Sequence, residues 1–102
     1  MEENVPTMSL EEQMDVYLKD KELAEAMTRL KTNPDFVKVF EEKFVKDFTL
    51  TQVYNLVAYD QQSRVKVHEQ MVARSVFQRY CDELIEDGKI AIENMAELKS
   101  EQ

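Results

Sequence analysis

Apolar residues recur along most of this chain every three or four positions, the period that places side chains on one face of an α-helix. The first series follows Ser9, which forms with Glu12 the capping-box pattern that begins a helix. The apolar residues before Asp20 and those after it do not lie on one stripe of a single helix. Because Asp20 could cap a second helix, the pattern fits either one helix or two short ones. The apolar residues of this series are Leu10, Met14, Tyr17, Leu18, Leu23, Ala26, Met27 and Leu30.

Asn33-Pro34-Asp35 predicts the start of another helix, because Asn suits the N-cap and Pro suits the first helical position. The face that follows is wide and aromatic, and we expect it to be buried as the centre of the core. Thr49 and Gln52 repeat the capping-box spacing and predict a short third helix. The apolar residues of the aromatic face are Phe36, Val37, Val39, Phe40, Phe44, Val45 and Phe48.

Helical spacing then continues without interruption and predicts one long helix over about residues 62–98. Such a helix would be about 55 Å long, whereas a compact chain of this length is about 33 Å across. Either the helix breaks near Asp87-Gly88 and folds back as an intramolecular hairpin, or its end projects and pairs with another chain. The alternation of four- and three-residue spacings from Tyr80 to Leu98 favours pairing with another chain. We name the predicted pairing face the C-terminal seam; it comprises Tyr80, Leu84, Gly88, Ala91, Met95 and Leu98.

Composition agrees with an all-α protein. The 102 residues include one Gly and two Pro, too few for the turns of a β-sandwich, while 43% apolar residues exceed what a disordered chain contains. We therefore predict a flexible N-terminal arm over residues 1–8 and one small domain of three to four helices over residues 9–102.

Charge argues against nucleic acid as a direct ligand, because a net charge of −8 repels phosphates over long range. Only residues 62–80 are basic, at +3, whereas residues 81–102 sum to −5. The four basic side chains of that stretch scatter around a helix, which favours pairing with acidic helices over a phosphate site. They are Arg64, Lys66, Arg74 and Arg79.

Cysteine usage and hydropathy bear on location. The single Cys81 has no partner for an internal disulfide, and residues 1–4 lack the pattern of a signal peptide. No apolar run approaches the roughly 18 residues that a membrane span needs. We expect a reducing compartment, the cytoplasm, and no membrane.

The residues that carry chemistry do not form a recognisable catalytic pattern. His68 and Glu69 point about 100° apart around a helix, so they do not converge on a metal. Cys81 lies beside Asp82 and Glu83, whose charges weaken a thiol nucleophile. One glycine cannot build a phosphate loop. We predict no catalytic, cofactor-binding or metal-binding residues.

Six short segments between residues 30 and 97 form a distinctive layout: Asn33-Pro34-Asp35-Phe36, Glu41-Glu42-Lys43-Phe44, Lys46-Asp47, Leu56-Val57, Gly88-Lys89-Ile90-Ala91 and Met95-Ala96-Glu97. Together they resemble a group of small helical proteins of tailed bacteriophages. Where many members have a glycine before the aromatic residue, this chain has Lys43. The resemblance implies a phage context, with head morphogenesis as the expected stage and the host cytoplasm or virion as the location, and it transfers no catalytic residue.

Two functions remain open. The first is a non-enzymatic assembly or scaffold-like protein whose long helix mediates self-association or docking to a phage structural protein. The second is a small acidic inhibitor that occupies a basic cleft of a host enzyme or mimics nucleic acid. The basic stretch over residues 62–80 interrupts a uniformly acidic surface and favours the first.

Overall fold

Three helices account for almost all of the described chain. The computed structural model of the protein describes residues 8–101, so all but the last residue of the predicted arm lies outside the described part. Helix α1 spans Leu10–Lys31 and helix α3 spans Gln61–Ser100. Between them, α2 covers residues 34–54 and is followed by a 3-10 turn at Leu56–Ala58. The predicted all-α fold with a long C-terminal helix is confirmed.

Side-chain caps define the first residues of the helices. The Ser9 backbone N–H donates to Glu12 Oε1 over 2.9 Å, the Glu12 N–H donates back to Ser9 Oγ over 3.1 Å, and the pKa of Glu12 is lowered by this bonding. Asp60 Oδ1 accepts the Ser63 N–H over 2.7 Å at the start of α3. The capping box of α1 is therefore confirmed, and α1 is a single helix through Asp20.

Asn33 caps α2 as its sequence context predicts. Its Oδ1 accepts the backbone N–H groups of Asp35 and Phe36 over 2.9 and 3.4 Å. Asn33→Ala should lower the free energy of unfolding by about 1 kcal/mol, because these N–H groups lose their acceptor. Urea unfolding followed by circular dichroism measures the loss, and Asn94→Ala inside α3 is the control that should not destabilise. Equal midpoints for Asn33→Ala and the native protein would contradict the assignment of the cap.

Helix α2 has no break at Thr49, and the prediction of a third helix beginning there is wrong. Backbone angles are helical through Asp47 and Phe48. The helix instead changes its winding: it is α-helical at Pro34–Phe36, π-helical at Val37–Asp47 and α-helical again at Phe48–Tyr54. Gln52, the expected capping partner of Thr49, is buried.

Helices α1 and α3 pack against each other antiparallel within the chain. Met14 and Leu18 near the start of α1 line the same groove as Ile92 and Met95 near the end of α3. At the other end of α1, Lys31 Nζ lies 2.8 Å from Asp82 of α3 and 3.6 Å from Glu41 of α2, which joins the three helices. Helix α3 runs unbroken through Gly88. Its C-terminal half, from Gly88 to Met95, packs against α1 of the same chain.

The molecule is long, flat and poor in buried core. Its Cα extents are 63 × 42 × 14 Å and its radius of gyration is 20.0 Å, whereas a compact chain of this length has a radius near 13 Å. The buried apolar residues are Met27, Val67, Cys81 and Ala91. The prediction that the Phe face is the centre of the core is wrong, since Phe40 and Phe44 remain 42% and 40% exposed.

The helices also bear on the membrane prediction. Among residues 8–101, every helix is too short or too polar to cross a bilayer.

Candidate functional site

A concavity lined by aromatic side chains lies between α2 and α3, and we name it the aromatic groove. Its volume is about 460 Å³. One wall belongs to α2 and the other to α3, and nearly all of the exposed lining is apolar. The lining residues are Phe40, Phe44, Phe48, Gln70, Ala73, Arg74 and Phe77.

The α2 wall is a ladder of phenylalanine rings at four-residue spacing. Phe36 and Phe40 stack with centroids 5.2 Å apart, Phe44 follows at 6.5 Å and Phe48 at a further 6.4 Å. Phe77 of α3 approaches Phe40 at 6.1 Å and closes one end of the groove. These separations are those of attractive aromatic pairs, so the ladder is held in place although its rings face outward.

The ladder lies on an unusual stretch of backbone. Eleven residues, Val37–Asp47, have π-helical winding, in which each N–H bonds to the carbonyl five residues earlier. Such winding is rare and often marks functional positions. Phe40 and Phe44 lie inside this stretch, while Phe36 and Phe48 flank it.

Arg74 crosses from α3 to α2 and forms the inner wall of the groove. It is only 4% exposed. Its Nε donates to Thr49 Oγ1 over 2.7 Å, and Nη2 donates to Gln52 Oε1. The guanidinium carbon lies 4.9 Å from the Phe48 ring centroid and 5.6 Å from that of Phe44, within cation–π range.

Among residues 8–101, the side chains that accept hydrogen bonds from the Arg74 guanidinium, Thr49 and Gln52, are neutral. Among residues 8–101 the ion pairs involve other side chains, and none joins Arg74 to a carboxylate. Gln52 extends the network by donating from Nε2 to Gln70 Oε1 over 2.6 Å. The groove is therefore apolar with a buried positive charge in its wall, an arrangement that favours an anionic group on whatever binds there.

A second concavity on the other side of Arg74 is more polar. It includes Met71, Gln78, Arg79 and Asp82 of α3 together with Val45 of α2. Arg79 pairs with Glu83 over 3.5 Å on the exposed surface, a contact of little energetic value. The carboxylate that pairs with Arg79 therefore lies on α3 itself, and among residues 8–101 the predicted pairing of Arg74 and Arg79 with other, acidic helices is not observed.

The C-terminal seam is divided between two environments. Gly88 and Ala91 are buried within the chain, where Gly88 faces Ala24 of α1. Leu84, Met95 and Leu98 are half-buried, and Met95 lines the groove between α1 and α3. Only Tyr80, 54% exposed, faces outward. Gly88 and Ala91, which were expected to let the backbone of another chain approach closely, instead pack within the same chain, with Gly88 against α1.

Cys81 and Lys31 lie close together, and each has a shifted pKa. Cys81 is buried, and burial raises the pKa of its thiol; Asp82 and Glu41 raise it further while Lys31 opposes them. The pKa of Lys31 is raised, chiefly by its hydrogen bond to Asp82. Within residues 8–101, no three histidine, cysteine or carboxylate side chains converge on a possible metal position.

Sequence reasoning missed the partners of Arg74. The heptad spacing of Val67, Arg74, Cys81 and Gly88, all buried, could have placed Arg74 on the packed face of α3. An arginine on such a face requires hydrogen-bond acceptors, and Gln52 is one that the capping-box interpretation assigned elsewhere.

Comparisons of the chain with protein-family models, with curated proteins and with solved structures found no match.

Proposed function

We propose that this chain is a non-enzymatic interaction or assembly protein whose aromatic groove binds an amphipathic helix of a protein partner. The observation that carries the proposal is the exposure of the phenylalanine ladder. A chain with so small a core would gain stability by burying Phe40 and Phe44 inside, yet both rings remain about two-fifths exposed beside Phe77. Exposed apolar patches of this kind are typical of interaction surfaces.

The shape and charge of the groove support an amphipathic helix as its occupant. An apolar channel between two helices fits apolar side chains at three- and four-residue spacing, as in helix-in-groove recognition. The buried Arg74 guanidinium has no carboxylate among the described residues. We therefore expect the bound helix to carry an aspartate or glutamate beside its apolar face.

The phage context belongs to the same proposal and rests on the sequence resemblance. In that context the partner would be a structural protein of the particle, and the protein would act in the host cytoplasm or virion. An inhibitor that presents a uniformly acidic surface is less well supported, because the groove is apolar and its buried charge is positive.

Photo-crosslinking in the producing cells tests the groove. A benzoylphenylalanine in place of Phe44 should form covalent adducts with another protein chain, because the photoreactive ring occupies the docking surface. The same residue in place of Glu22, exposed on α1, is the control and should give few adducts. If the Phe44 position of a folded, helical protein yields no more adducts than the Glu22 position, the groove is not an interaction site.

A further inference from the structure

The two ends of the aromatic groove differ in chemistry. Phe40 of α2 lies beside Phe77 of α3. Gln52, later in α2, bonds instead to Gln70 and Arg74, earlier in α3, so the two helices run antiparallel along the groove. Within residues 8–101, Gln70 and Arg74 are the polar members of the groove lining, and both lie away from the Phe40 end. A groove with one apolar and one polar end suits an amphiphilic ligand.

The guanidinium of Arg74 has hydrogen-bond donors to spare at the polar end. Its Nε donates to Thr49 Oγ1 and its Nη2 to Gln52 Oε1, which uses one edge of the group. The outer edge, formed by Nη1 and the second N–H of Nη2, has no acceptor in the described part of the chain. Every fully buried polar side-chain atom of residues 8–101 is bonded, so Nη1 reaches the surface, where a ligand can approach it.

Gln70 places a second donor beside Arg74. It precedes Arg74 by four residues and therefore lies on the same face of α3. Its Oε1 accepts from Gln52 Nε2 over 2.6 Å, which leaves the Gln70 Nε2 group without an acceptor among residues 8–101. A carboxylate at this end of the groove would accept two parallel N–H bonds from Arg74 and a third bond from Gln70. Such charge-assisted bonds are about twice as strong as neutral ones.

The rings form an apolar track that leads away from this polar end. The centroids of Phe48, Phe44 and Phe40 follow one another at 6.4 and 6.5 Å, and each ring is between 40% and 45% exposed. The guanidinium carbon of Arg74 lies 4.9 Å from the Phe48 centroid, at the start of the track. The groove lining has no cation near Phe40, so a second carboxylate at that end would be unpaired. The track therefore fits a chain with one charged end.

We propose that the aromatic groove binds a fatty acid, with its carboxylate on Arg74 and Gln70 and its alkyl chain along the phenylalanine rings. The groove volume of about 460 Å³ lies within the roughly 300 to 1,000 Å³ of pockets that hold small ligands. The proposal goes beyond the proposed function, because it names a small molecule that would displace the helix from the same groove. Binding of a fatty acid is measured without any protein partner, so the two proposals can fail independently.

The length and the charge of the ligand test the two ends of the groove separately. Decanoate should bind the purified protein at neutral pH with one site per chain. Each methylene group added between hexanoate and decanoate should lower the dissociation constant about two- to four-fold, because it is buried against the rings. Decan-1-ol has the same chain without the charge and should bind at least about ten-fold more weakly. Isothermal titration calorimetry gives these constants at ligand concentrations below those at which micelles form.

A matched pair of substitutions locates the carboxylate. Gln70→Glu puts a carboxylate at the polar end of the groove, where it pairs with Arg74 and repels the ligand, so the dissociation constant of decanoate should rise at least about 30-fold. Gln78→Glu is the control, since it makes the same change four residues from Arg74 but borders the more polar concavity on the other side. It should change the constant less than about three-fold. Gln70 is exposed, and circular dichroism confirms that both variants are folded.

Nuclear Overhauser effects between decanoate and the protein locate the alkyl chain. Methylene protons close to the rings of Phe40 and Phe44, together with the loss specific to Gln70→Glu, support the proposal. Equal affinities for decanoate and decan-1-ol, equal losses in both variants, several sites per chain, or no binding overturn it. Protein adducts at residue 44 without decanoate binding would leave the helix as the occupant and would likewise overturn the fatty-acid site.

Discussion

Replacing Gly88 with leucine is expected to separate α1 from α3 and to lower the free energy of unfolding by about 3 kcal/mol. A Cβ atom built on Gly88 would lie 2.1 Å from the Cβ of Ala24 and 3.4 Å from the carbonyl oxygen of Asp20. Ala24 has no flexible end that could move aside, so the two helices must shift apart. This loss would be a large part of the total free energy of unfolding, which is about 5 to 15 kcal/mol for small domains.

Helix propensity alone predicts that Gly88→Leu raises the free energy of unfolding. The sign of the measured change therefore distinguishes helix propensity from the steric clash with α1. Leucine favours a helix over glycine by about 1 kcal/mol, and Gly88 lies at a negative φ that any residue adopts. Urea unfolding followed by circular dichroism gives the stability, and hydrogen exchange of α1 reports whether this helix in particular loses protection. A variant as stable as the native protein would show that α1 does not contact α3 at Gly88.

A double variant that swaps the residues at positions 24 and 88, Ala24→Gly with Gly88→Ala, provides the control. Gly88→Ala alone should be destabilising despite its better propensity, and Ala24→Gly alone should lose about 1 kcal/mol of helix propensity. In the double variant the methyl group moves from α1 to α3 and the space is restored. The double variant should therefore be more stable than the sum of the single changes predicts.

Local features of the chain were predictable because they depend on neighbouring residues. Ser9 and Asn33 cap backbone N–H groups two or three residues away, so a short stretch of sequence contains both partners. The unbroken α3 also follows from its own spacing, since Gly88 has ordinary helical angles and needs no turn. Each of these features is fixed within one or two turns of helix.

Features that depend on distant residues were not predictable in the same way. A row of phenylalanines identifies an apolar face, but it does not reveal whether the chain has another element to cover it. Gln52 at the capping position after Thr49 matched a local pattern, yet its actual partners, Arg74 and Gln70, lie about twenty residues away. The seven-residue recurrence of buried positions on α3 likewise fits a partner helix from the same chain or from another.

The change of winding in α2 has no counterpart in the sequence pattern. The apolar residues of Val37–Asp47 recur at ordinary helical spacing. Two features of the structure bear on this stretch: the ladder of rings, and Arg74 of α3, which lies over the Phe44 ring and donates a hydrogen bond to Thr49 just beyond the stretch. The candidate site therefore depends on how α2 faces α3, which residue spacing within α2 cannot specify.

Arg74→Ala is expected to detach α2 from α3 and to lower the free energy of unfolding by about 3 kcal/mol. The change removes the apolar stem that fills the space between the helices. It also leaves Thr49 Oγ1 and Gln52 Oε1 without their donor, and each buried group that loses its partner costs about 1 to 3 kcal/mol. Urea unfolding measures the loss, and the near-ultraviolet circular dichroism of the phenylalanine ladder reports whether the rings lose their fixed environment.

Arg74→Met separates the contribution of the stem from that of the charge. Methionine retains most of the apolar volume but donates no hydrogen bond, so the loss should be smaller, about 1 kcal/mol, since no buried cation remains to be solvated. The double variant Arg74→Met with Gln52→Leu should recover part of that loss, because both polar partners are then replaced by apolar groups. If Arg74→Ala and Arg74→Met leave both the stability and the aromatic signal unchanged, Arg74 does not connect the two walls of the groove. The expectation that the bound helix carries an aspartate or glutamate would then lose its basis.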